Sequence, residues 1–112
     1  MKSGDLVTDS VSVWGTTYKV GHVVVTSVIC PDILEVGIIE KVVVRGSQAR
    51  FQVSLHDCAR DSNNIFQSIP KNTGKLVPHS SLADFKPIFK RGKGRSFKFV
   101  LHHYLPVTNV EK

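Results

Sequence analysis

The chain has 112 residues, with 15 Lys and Arg against nine Asp and Glu and a formal net charge of +6. That length suits one domain, with enough buried area to fold without a disulfide framework or a structural metal. No apolar stretch reaches the roughly 18 residues of a membrane span, and Met1-Lys2-Ser3-Gly4-Asp5 lacks the apolar core of a signal peptide.

Val, Ile and Thr together number 30 residues and Ala only three. β-branched side chains lose rotamer freedom in helices and pack well on a pleated surface, so the composition predicts strands. Residues 1–10 read as a flexible N-terminus, 11–107 as a single β-rich domain and 108–112 as a C-terminal tail. Val11 and Val13, then a turn at Trp14-Gly15, then Tyr18-Lys19-Val20 read as a short hairpin. His22 to Ile29 is an apolar run too short for most helices. Its three consecutive valines predict a strand covered on both faces, broken by Pro31-Asp32.

Glu35 to Val44 is the next strand, with Gly37 near its start. A tight connection at Arg45-Gly46-Ser47-Gln48 leads into Ala49 to Leu55, where Phe51, Val53 and Leu55 share one face and Arg50, Gln52 and Ser54 the other. Residues 56–64 read as a loop, Ile65 to Ile69 as a short strand ended by Pro70, and Lys71-Asn72-Thr73-Gly74 as a turn. Ser80 or Ser81 is placed to cap one helical turn over Leu82 to Phe85, stopped by Pro87. Alternation resumes from Arg95 to Tyr104, with Phe97, Phe99 and Leu101 on one face, and Pro106 ends it. The expected fold is mainly β: a small antiparallel barrel or curled sheet, with one short helical turn.

Charge is localised. Lys86, Lys90, Arg91, Lys93, Arg95 and Lys98 crowd into residues 86–98 without an acid, and the other nine bases balance all nine acids. Gly92 and Gly94 let that backbone approach a polyanion, while Lys and Arg displace its counterions. Phe89 and Phe97 flank the charges, and the alternation assigns Phe97 to the core. Arg45 and Arg50 extend the basic surface from the neighbouring hairpin. A solvated loop that protects a sheet edge is the competing explanation.

Other constellations carry less. His22, Cys30, His56, Cys58, His79, His102 and His103 show no zinc-finger spacing. His56-Asp57-Cys58 has the residue types of a nucleophilic site, but sequence neighbours rarely converge in space. No nucleotide loop or hydrolase elbow occurs. The expectation is therefore no catalytic residues, no metal and no cofactor. Trp14 and Tyr18, flanking a turn, form a candidate partner-binding pair, with a core role for the aromatics as the alternative.

The run Tyr18-Lys19-Val20-Gly21-His22-Val23-Val24-Val25, followed by Val36-Gly37-Ile38-Ile39-Glu40-Lys41-Val42, resembles the opening of BAH-like and SH3-like chromatin modules. The Trp-x-x-Arg-Pro-like stretch that BAH domains carry next is not present. Leu82-Ala83-Asp84-Phe85-Lys86-Pro87-Ile88, before a final strand ending in His102-His103, is similar to uncharacterised C-terminal domains of zinc-finger or transposon-related animal proteins. These resemblances imply that the small antiparallel barrel or curled sheet is SH3-like or BAH-like, and that the chain is a nuclear module that contacts nucleic acid or associates with itself.

Together the readings predict an intracellular, nuclear, non-catalytic module that contacts nucleic acid or another polyanion through backbone phosphates. The alternative is an SH3-like protein-interaction module that binds a peptide or a second copy. No membrane partner is expected.

Overall fold

The computed structural model describes residues 6–62, 65–84, 88 and 97–101. Strands β1 (Leu6–Thr8), β2 (Ser10–Val13), β3 (Thr16–Lys19), β4 (Val23–Cys30), β5 (Ile33–Arg45), β6 (Gln48–Ser62), β7 (Ile65–Pro78) and β8 (Lys98–Val100) follow one another, with a single 3-10 turn at His79–Ser81 between the last two. One sheet has the order β1-β5-β6-β7-β8, and β4 pairs with β5 alongside β1; β2 and β3 form a separate hairpin. Every pairing is antiparallel. The protein is mainly β, and among the described residues the strands close no barrel, because neither β1 nor β4, which share one edge, pairs with β8 at the other.

β5, β6 and β7 run for 13, 15 and 14 residues, about twice the usual strand length. Length lets one sheet hold two cores, offset along the strands and on opposite faces. In β6, Ala49, Phe51, Val53 and Leu55 enter one core and Cys58 the other. Adjacent Leu55 and His56 are both buried, where the strand passes from one core to the other.

β5 makes the same passage by a bulge. The ladder pairs Ile39 with Val53 and Lys41 with Gln52, leaving Glu40 as an extra residue. The alternation shifts by one. Leu34, Val36 and Ile38 consequently serve the first core, and Ile39, Val42 and Val44 the second. The valine run behaves as its pattern predicts: Val23 and Val25 lie in one core, Val24 in the other, all fully buried. The β2–β3 hairpin covers the second core with Tyr18, Val11 and Val13. Phe97, Phe99, Leu101 and Ile88 cover the first.

Four local expectations change. Residues 56–62 are strand rather than loop, paired with 33–36 on one side and 65–70 on the other; the buried His56 and Cys58 supply the inward positions. Lys71 to Gly74 is not a free turn but a bulged stretch within β7, since Ser54 pairs with Gly74 and His56 with Pro70. Asn72 takes the left-handed conformation there, with φ of 58°. The helical turn falls at His79–Ser81, and Leu82 is already extended. Leu6–Thr8, read as part of a flexible start, pairs with Val42–Val44.

Candidate nucleic-acid interface

The β2–β3 hairpin pairs Val13 with Thr16, so Trp14 and Gly15 alone make the turn. Both have positive φ, 53° and 80°, as a type I′ turn requires, and that turn favours Asn-Gly or Gly-Gly. A bulky L residue in the left-handed region costs about 1–2 kcal/mol. Trp14 recovers little of that by burial, being 79% exposed.

The indole is nonetheless braced from below. Its ring meets His79 edge-to-face at 5.0 Å. His79 shares a 3.1 Å hydrogen bond between Nε2 and the Tyr18 hydroxyl, and the Tyr18 ring packs on Phe51 at 5.1 Å. Burial lowers the His79 pKa and favours a neutral imidazole. Burial also raises the Tyr18 pKa, with the Asp84 carboxylate adding to the effect.

Beneath Trp14 lies a cleft of about 630 Å³, bounded by the hairpin tip, the β5–β6 turn and the end of β7. Its apolar lining includes Val13, Trp14, Leu76 and Pro78, and its polar lining Ser47, Gln48 and Arg50, the last paired with Pro78. No carboxylate lines it among the described residues. Arg45 pairs with Gln48 at the mouth of the β5–β6 turn and is exposed.

The structure thus brings Trp14 and Arg50 to one cleft, with Arg45 beside it. It does not offer Trp14 and Tyr18 as an exposed pair, since Tyr18 is fully buried and serves as the brace. Lys86, Lys90, Arg91, Lys93 and Arg95 lie outside the described residues, as does Phe89. Lys98 is exposed at the start of β8, with Nζ 3.4 Å from an Asp61 oxygen. Phe97 is a core residue.

Carboxylates gather toward the other end of the long strands. Arg60 Nε lies 2.7 Å from Asp32, and Lys71 lies 2.9 Å from Glu35 and 3.7 Å from Asp57. Burial pushes the Glu35 pKa up, but hydrogen bonds from Lys71 and Thr26 and the charges of Lys71 and Lys75 outweigh it, leaving the value below that of an ordinary carboxyl. Such exposed pairs contribute little stability. Their consequence here is spatial: Asp32, Glu35 and Asp57 sit by one core, while Arg45 and Arg50 lie on strands that serve the other, where Asp84 stands near Tyr18.

Among the described residues no three His, Cys, Asp or Glu side chains come together to hold a metal. His56 and Cys58 alternate with Asp57 along β6, which turns Asp57 to the opposite face. Both cysteines are free thiols. Burial, with the Asp57 charge adding, pushes the Cys58 pKa up to about 12, which leaves an inert thiol. The residue that sequence reasoning missed is His79. No local pattern marks it, because its role depends on contact with Trp14 and Tyr18, more than sixty residues earlier in the chain.

Comparison with family models, with curated proteins and with solved structures gave no match to this chain.

Proposed function

We propose that the chain is a non-catalytic binding module for nucleic acid, holding phosphates with Arg45, Arg50 and the basic segment Lys86, Lys90, Arg91, Lys93, Arg95 and Lys98. One observation carries the reading: an exposed tryptophan and an arginine line one cleft that no carboxylate lines among the described residues. Arg supplies a planar fork suited to phosphate oxygens, and apolar surface beside it suits the faces of bases. The net charge of +6 adds long-range attraction for a polyanion. The sequence resemblance to BAH-like and SH3-like chromatin modules supports a nuclear setting.

Fluorescence anisotropy with labelled single-stranded and duplex oligonucleotides tests this. Arg45→Glu with Arg50→Glu is expected to weaken binding at least tenfold at low salt while the folded signal is kept. Equal affinity of parent and charge-reversed protein would remove the cleft from the interface. A second reading, a peptide-binding module, is favoured by Leu76, which is 44% exposed in the apolar lining of the cleft. It predicts binding of an apolar peptide with little salt dependence, lost in Leu76→Ser and kept in the Arg45/Arg50 reversal.

A further inference from the structure

We infer that Trp14 is a stacking platform for an unpaired nucleobase, so that the module takes single-stranded nucleic acid in preference to duplex. This deepens the nucleic-acid reading above and rests on it. The indole occupies a turn position that disfavours it and stays largely in water. Neither turn chemistry nor burial accounts for the residue, and backbone strain of this kind gathers at functional sites.

The ring is also held in place. His79 meets it at 5.0 Å, the Tyr18 hydroxyl fixes His79 at 3.1 Å, and Phe51 backs Tyr18 at 5.1 Å. An aromatic ring already anchored has little side-chain freedom left to lose on binding. Size and chemistry of the adjoining space agree. The cleft of about 630 Å³ falls in the roughly 300–1,000 Å³ range of small-ligand clefts. Arg50 in its wall supplies the charge for a phosphate, and Gln48 and Ser47 offer hydrogen bonds to a base edge.

Charge complementarity selects the occupant. An apolar peptide would use Leu76 and make no use of the Arg50 charge, whereas a nucleotide offers a base face to the ring and a phosphate to the arginine. A base within a duplex stays stacked on its neighbours, out of the indole's reach; a single strand splays its bases and presents their faces.

Trp14 is the only tryptophan in the chain, so its emission reports on this site alone. The full chain is titrated at low salt with oligo(dT) of about 15 nucleotides and with a duplex of equal length. Single strand is expected to quench the emission and duplex to leave it unchanged. Trp14→Asn restores the favoured Asn-Gly turn, so the fold is kept, as circular dichroism and thermal unfolding will check. With labelled probes that variant is expected to bind single strand about 5- to 140-fold more weakly, the loss of one stacked base, and duplex unchanged.

Equal affinity of both probes, unmoved emission and loss of both through Arg50→Glu would overturn the stacking role and leave the phosphate reading standing. Absence of binding by either probe would overturn both. Emission that shifts with protein concentration alone would assign the cleft to a second copy of the chain, and would also overturn the inference.

Discussion

His79 links the packing of the Trp14 cleft to pH. Burial holds its pKa below the value of about 6.5 that it has in an unfolded chain. Burial, with the Lys19 charge adding, does the same to His22. The unfolded state therefore takes up protons first as pH falls. The stability from these imidazoles is complete above about pH 6.5 and is lost below it. Glu35 acts in the same direction at lower pH: its folded pKa is depressed, so its contribution is present above the ordinary carboxylate value and is lost as pH falls through the folded one. The urea midpoint is expected to decline from pH 7 to pH 5, less steeply in His79→Gln, where a neutral amide replaces the imidazole. A flat midpoint over that interval would contradict the neutral, braced His79. The same brace explains why Trp14 tolerates its strain: a left-handed bulky residue costs about 1–2 kcal/mol, and an aromatic contact returns about 0.5–1.5.

Among the elements, β5 leaves room at Gly37 for the Val53 side chain of β6, two residues along the strand from Leu55, the register partner of Gly37. A Cβ added at Gly37 would lie 2.6 Å from Val53 Cβ, inside any van der Waals separation. Gly37→Ala is expected to destabilise by about 1–3 kcal/mol, read as a lower urea midpoint with an unchanged denaturant slope. Val53→Ala in the Gly37→Ala background should cost less than in the parent, because it removes the two methyls, 2.6 and 3.1 Å from the added Cβ, and leaves only Cβ to move. Strict additivity would show that the two sites do not touch. Strands such as these were legible where one face serves one core: Phe51, Val53 and Leu55 alternate cleanly, as do Phe97, Phe99 and Leu101. Alternation misleads where a strand changes core. Leu55 and His56 are buried side by side, so a pattern of period two ends at Leu55 although the strand continues to Ser62. Asn72 and Gly74 are turn residues by chemistry, and β7 uses them for a bulge because β6 pairs with it on both sides of the interruption. The cleft was legible only in pieces: Trp14, Arg45 and Arg50 stand out as residues, but their meeting depends on the His79 contact.

At the scale of the whole molecule, the surface ion pairs gather away from the cleft. Asp57 lies seven residues beyond Arg50 on β6, about 23 Å along an extended strand. Asp32, Glu35, Asp57 and Asp61 sit beside Arg60, Lys71 and Lys98, while Arg45 and Arg50 stand with Trp14. Charges at that separation are largely screened from each other at physiological salt, so these paired carboxylates do little to oppose a polyanion at the cleft, and Asp84, near Tyr18, is the acid that stands closest to its brace among the described residues. Affinity set by such a surface depends on counterion release. The most direct measurement is the salt dependence of single-strand binding by the intact chain. Engagement of about four phosphates predicts that log affinity falls with log salt at a slope near −2.8, and that Arg45→Glu with Arg50→Glu reduces it by about 1.4. A slope near zero, or one unchanged by the two reversals, would contradict phosphate binding at this cleft.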